Sequence, residues 1–147
     1  MDFPTSPEWS DWGSPYPRAP GPRDDVTQMS TSVLIVDDDP TFRVLARRLL
    51  TAAGLEVVGE AGDVAGGVAM AEQLRPDAAL VDVGLPDGDG FGLARLLSAL
   101  PWRPRVVLTS VEVDIASEGA VQGAGAEAVV PKADLPNAPL SCWLGDE

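Results

Sequence analysis

Five short apolar runs constrain this chain more than any other feature: Val33–Val36, Glu56–Gly59, Ala78–Val81, Arg105–Leu108 and Ala128–Val130. Each has strand length, and most are rich in Val, Leu or Ile without polar alternation, the pattern of strands covered on both faces. The amphipathic stretches between them predict helices. The first spans about Thr41 to Ala52, with Asp39 as N-cap, Pro40 at the first helical position, Phe42, Leu45 and Leu49 on one face, and Gly54 as the stop. The second runs from its cap Asp63 to Leu74, with Val64, Val68 and Ala71 inward; Gly66 and Gly67 weaken it. Further helices are predicted over Gly90–Leu100, Asp114–Gly123 and Asn137–Leu144. The order is βα five times over, an α/β fold with a five-stranded parallel sheet, doubly wound, with helices on both faces and right-handed crossovers.

A chain of 147 residues with 45% apolar content supports one core of ordinary size. Residues 1–30 stand apart, with six prolines, scattered acids and no apolar periodicity, and predict a disordered, Pro-rich N-terminal tail ahead of a folded domain over 31–147. Trp9, Trp12 and Tyr16 are candidates for a short docking motif in that extension, and Met29, directly before STSVLIV, is an alternative translation start. No apolar run approaches the roughly 18 residues that span a bilayer, and the N-terminus lacks the layout of a secretory signal. The expectation is a soluble, cytoplasmic protein without membrane insertion.

The net charge of −13 argues against direct contact with nucleic acid or anionic membrane, which depends on clustered Lys and Arg. Proteins, or small anions held with a cation, are the expected partners. A single cysteine, Cys142, excludes an intramolecular disulfide and a Cys-rich zinc site, and reads as a small apolar residue on the last helix. The absence of histidine removes Ser-His-Asp and Cys-His catalysis, His-containing zinc sites and a phosphohistidine relay within the chain. Any phosphoryl chemistry must run on carboxylates.

In a doubly wound sheet, ligands sit at the carboxyl ends of the strands. After the first run come Asp37, Asp38 and Asp39; after the third, Asp82; after the fourth, Thr109 and Ser110; after the fifth, past Pro131, Lys132. Carboxylates converging on one crevice repel one another unless a cation joins them, and Mg²⁺ suits a site with few carboxylates, retained waters and a phosphate ligand. The Thr109 hydroxyl and Lys132 ammonium would face that metal across the crevice and hold the oxygens of a phosphoryl group on a carboxylate. Lys132 is the only lysine, the other nine basic residues being arginine, which suggests a need for a compact ammonium where a guanidinium fork would not fit.

The stretches VLIVDDDPTFR, ALVDVGLPDGDGFGLARLL, VVLTS and GAEAVVPKADL resemble the successive signatures of a response-regulator receiver domain of two-component signalling, over about Ser32 to Leu144. The resemblance implies a flavodoxin-like (βα)5 fold. It implies Asp82 as phosphoacceptor, Mg²⁺ bound by Asp37, Asp38 and Asp82 with the backbone carbonyl of Gly84, and Thr109 and Lys132 on the phosphoryl group. A second resemblance competes: Asp37-x-Asp39-x-Thr41 looks like the nucleophile loop of haloacid-dehalogenase-like phosphatases. That alternative needs further metal-binding acids beyond the lysine, where only Asp134, Asp146 and Glu147 stand, and leaves Asp82 without a role.

The chain departs from the receiver pattern in two places. Val129 stands where many receivers carry an aromatic residue whose rotamer follows the Thr hydroxyl, so the usual aromatic readout cannot operate. Pro131 precedes Lys132, and Ala133 follows it, an order more like receivers that normally precede helix-turn-helix domains; no such domain follows in these 147 residues. The resemblance implies a sensor histidine kinase or phosphotransfer protein as donor, a downstream protein target, no direct nucleic-acid contact, and no enzymatic activity beyond the domain's own phosphorylation and dephosphorylation. The alternative function is a receiver-fold interaction module that works without phosphate.

Overall fold

A computed structural model of the chain describes residues 31–111 and 123–145. The predicted tail, with Trp9, Trp12 and Tyr16, and all but the last residue of the predicted helix over Asp114–Gly123 lie outside the described residues. The elements run β1 (Ser32–Val36), α1 (Pro40–Ala52), β2 (Glu56–Ala61), α2 (Val64–Leu74), β3 (Ala78–Asp82), the two-residue strands β4 (Gly84–Leu85) and β5 (Gly88–Asp89), α3 (Gly90–Ser98), β6 (Arg105–Ser110), β7 (Ala128–Pro131), a 3₁₀ helix (Lys132–Asn137) and α4 (Leu140–Leu144). Five of the strands form one sheet in the order β2-β1-β3-β6-β7, every pairing parallel, while β4 and β5 make a small antiparallel ribbon.

Alternation along the buried strands divides the core in two. Val33 and Ile35 of β1, Leu80 of β3 and Val107 of β6 face one layer, where Phe42, Ala46 and Leu50 of α1 meet Leu140 and Leu144 of α4. Leu34, Val36, Val81 and Leu108 face the other, against Ala71 of α2 and Leu93, Ala94 and Leu97 of α3. Strands buried on both faces cannot carry polar alternation, which is why the apolar runs were continuous. The predicted doubly wound fold is what forms.

The details differ where proline and helical phase intervene. The inward stripe of α1 is the i, i+4 row Phe42, Ala46 and Leu50; Leu49 packs at its margin, whereas Leu45 is 40% exposed rather than inward. Helix α3 stops at Ser98, short of the predicted Leu100, because Leu100 precedes Pro101 and closes a turn onto Leu97. The single helix predicted over Asn137–Leu144 becomes a 3₁₀ helix and then α4, since Pro139 holds Ala138 extended at φ −79° and ψ 145°. Cys142 lies on α4 as predicted but is exposed, not packed as a small apolar residue.

Candidate functional site

The chain leaves β1 in one direction to reach β2 and later returns to its other side as β3, so a crevice opens where these two neighbours end. Asp37 follows β1 and Asp82 is the last residue of β3. Thr109 is in register with Asp82 on β6, and Lys132 follows β7. The sheet therefore brings Asp37, Asp38, Asp82 and Lys132 together at one edge and sets Thr109 beside Asp82 on the neighbouring strand.

Local structure fixes the acids. Asp39 caps α1 by accepting a hydrogen bond from the Thr41 N–H at 3.0 Å, and its own N–H donates to Asp37 Oδ1 at 2.8 Å. Arg43, held by Glu60 at 3.1 Å, donates to the Asp37 carbonyl. At Asp82, the Gly84 N–H donates to Oδ1 at 3.2 Å as the chain enters the ribbon. Gly90, which opens α3, approaches the Asp82 carbonyl so closely that a Cβ there would overlap backbone atoms. Gly84 itself has open space around it.

One carboxylate oxygen from each of Asp37, Asp38 and Asp82 can be chosen so that all lie within 4.8 Å of one another, two of the residues being buried. Lys132 Nζ lies 2.8 Å from Asp37 Oδ2 and 3.6 Å from Asp82 Oδ2. The shorter contact is an ion pair without hydrogen-bond directionality, so Asp37 Oδ2 is buried with no aligned donor. Burial, foremost, and the Asp37 charge raise the Asp82 pKa above its ordinary value, against the pull of the Gly84 N–H and Lys132. A buried carboxylate oxygen held by an ion pair, beside two further carboxylates, fits a hard oxygen-seeking cation.

The open side is a cleft of about 530 Å³ bounded by Asp38, Asp39, Asp82, Gly84, Ser110 and Lys132, with Val83 and Val111 at its edge. Asp39 thus serves as both cap and acidic wall. Thr109 is buried, and its hydroxyl lies at 3.5 Å from the Val81 carbonyl, within the outer limit of a hydrogen bond. Ser110, the neighbour that sequence reasoning passed over in favour of Thr109, reaches the cleft wall because consecutive strand residues alternate in direction. Val129 is partly buried and packs against the layer that contains Leu93, Leu97 and Leu108.

Residues 33–137 match the response regulator receiver domain family. The chain belongs to that family. The receiver is 44% identical over 105 residues to the DNA-binding transcriptional activator DevR/DosR of Mycobacterium tuberculosis, an alignment covering 68% of this chain and 46% of the relative. It is 38% identical over 109 residues to protein-glutamate methylesterase/protein-glutamine glutaminase 3 of Anaeromyxobacter dehalogenans, covering 73% of this chain and 32% of the relative. Among solved structures, it superposes on the signal receiver domain of the putative response regulator NarL from Mycobacterium tuberculosis with a TM-score of 0.68 and 30% identity, covering 80% of this chain and 98% of that one. The receiver thus spans less than half the length of these two curated relatives. Receiver domains bind Mg²⁺ at an acidic pocket, and the cluster of Asp37, Asp38 and Asp82 provides one. Among the described residues, no helix is long and apolar enough to cross a membrane.

Proposed function

We propose that this receiver is a phosphorylation switch in which Asp82 accepts a phosphoryl group from a sensor histidine kinase or phosphotransfer protein. The observation that carries this reading is the meeting of Asp37, Asp38 and Asp82 at one cleft, with the ammonium of the chain's only lysine 3.6 Å from Asp82. An oxygen of ionised Asp82 forms the new bond to phosphorus as the P–N bond of the donor phosphohistidine breaks, and the imidazole leaves with the electron pair. The transition state is loose, so the residues contribute positioning and charge rather than covalent chemistry. Asp37, Asp38, Asp82 and the Gly84 carbonyl would hold Mg²⁺, which when bound neutralises charge on the phosphoryl oxygens.

Lys132 stands ready to pair with one phosphoryl oxygen. The Thr109 hydroxyl would give up the Val81 carbonyl to donate to another, drawing on the end of β6. Hydrolysis of the acyl phosphate resets Asp82, so the chemistry is confined to the domain's own modification. The switched surface would engage a protein target in the cytoplasm, since a net charge of −13 disfavours direct contact with nucleic acid. The relatives differ in what accompanies their receivers, one being a DNA-binding activator and another a methylesterase, and so do not name the target. Residues 31–147 would form this receiver, and residues 1–30 a tail outside it.

Intact-mass measurement after incubation with acetyl phosphate tests the reading, with Mg²⁺ and with chelator, on the wild type and Asp82→Asn. A phosphoryl adduct that requires Mg²⁺ and is absent from the variant is expected. If neither acetyl phosphate nor phosphorylated kinase modified well-folded protein, the chain would instead be an interaction module that works without phosphate, a reading favoured by Val129 in the aromatic position.

A further inference from the structure

Among the described residues, three groups surround the Lys132 ammonium. Two are the carboxylates already described, and the third is the ring of Phe42, whose centroid lies 4.4 Å from Nζ. Phe42 is in the first turn of α1, is 7% exposed, and belongs to the core layer that contains Ile35, Ala46 and Val130. Its face is therefore a fixed surface of negative potential, and the lysine side chain, only 15% exposed, meets it largely out of water, where attraction of a cation to an aromatic face is strongest. The carboxylates are less constant partners. Once they share their charge with a divalent metal, their hold on the ammonium weakens and the two cations repel each other. The aromatic face has no metal-binding atom and keeps its hold.

We propose that Phe42 is a positioning residue that retains the Lys132 ammonium in the cleft when the acids are engaged, so that it meets the incoming phosphoryl group instead of swinging into solvent. This role rests on Asp82 being the phosphoacceptor, whereas the contact itself does not.

The sole lysine makes the contact directly observable. With ¹³C-lysine incorporated into unlabelled protein, one side-chain spin system reports on Lys132. Its ε protons should lie upfield of the exposed-lysine position through the ring current, with and without Mg²⁺. Phe42→Leu, which keeps apolar bulk but removes the ring, should bring them to the exposed position, and Phe42→Tyr should keep them upfield. The rate of Mg²⁺-dependent adduct formation from acetyl phosphate should fall about 2- to 30-fold in Phe42→Leu, the range of such contacts, and recover in Phe42→Tyr. A lysine at the exposed position in Mg²⁺-loaded wild type would overturn the proposal, as would an unchanged rate in Phe42→Leu. If Phe42→Leu does not fold, the wild-type and Phe42→Tyr spectra decide. An upfield lysine in a wild type that takes no phosphoryl group would overturn the phosphoacceptor reading, and the positioning role with it, while leaving the contact established.

Discussion

Asp82 carries the conflict at the heart of the site: the group proposed to attack phosphorus, which would have to be ionised to do so, sits where ionisation is disfavoured. Its pKa in the folded chain is raised above the unfolded value, first by burial and then by Asp37. The folded state therefore binds more protons between those two values, so stability falls as pH rises across that interval and the cost is constant above it. Asp82→Asn removes the cost. In metal-free buffer at neutral pH the variant should unfold at a higher denaturant concentration than the wild type, and the gap should close as pH falls below the unfolded carboxylate value of about 3.9. Equal midpoints at neutral pH would mean that Lys132 already offsets the burial. The identities of Asp37, Asp38, Asp82, Thr109 and Lys132 were legible in the sequence because each follows or ends an apolar run, and parallel strands deliver those ends to one edge. Phe42 was legible only as a core residue: its place against Lys132 joins the start of α1 to the segment after β7, ninety residues on, and no local pattern encodes that meeting.

Helix α2 shows how a weak element is secured from outside itself. With Gly66 and Gly67 in its first turn it has poor intrinsic propensity, yet two carboxylates cap it. Asp63 accepts from the Gly66 N–H at 2.6 Å, as the sequence predicted; Asp87, from the turn between β4 and β5, accepts from the N–H groups of Val64 at 2.7 Å and Ala65 at 3.1 Å. The second cap was not legible, because its partners are more than twenty residues away and Asp87 reads locally as an ordinary turn residue. Those two N–H bonds lower the Asp87 pKa. Its contribution to stability is therefore complete above the unfolded value and is lost as pH falls through the lower, folded one. Hydrogen exchange at Val64 and Ala65 should accelerate in Asp87→Ala with little change in β1 or β3, and Asp63→Ala should lower global stability by about 0.5–2 kcal/mol in urea titration. Unchanged exchange in Asp87→Ala would assign the N-terminus of α2 to Asp63 alone. The inward face of α1 and the start of α4 differed from expectation for other reasons: which face of a helix turns inward depends on a sheet the helix reaches only after folding, and Pro139 divides the last segment.

At the scale of the whole molecule, the acids at the sheet edge make stability and ligand binding one equilibrium. Unfolding scatters Asp37, Asp38 and Asp82, so a cation held by them stabilises the native state by mass action. Mg²⁺ at a hundred times its dissociation constant should add about 2.7 kcal/mol and raise the thermal midpoint, whereas Asp37→Asn should abolish most of the rise. A Mg²⁺-dependent rise of equal size in Asp37→Asn would place the ion elsewhere. The singular lysine has a practical consequence for anyone handling the protein. With nine arginines and one lysine, the chain offers amine-reactive reagents only Lys132 and the N-terminus. Dyes, cross-linkers and sensor surfaces coupled through amines would therefore either mark the first residue or modify the cleft itself, and a labelling yield that drops when Mg²⁺ and a phosphoryl donor are added would report occupation of that cleft directly.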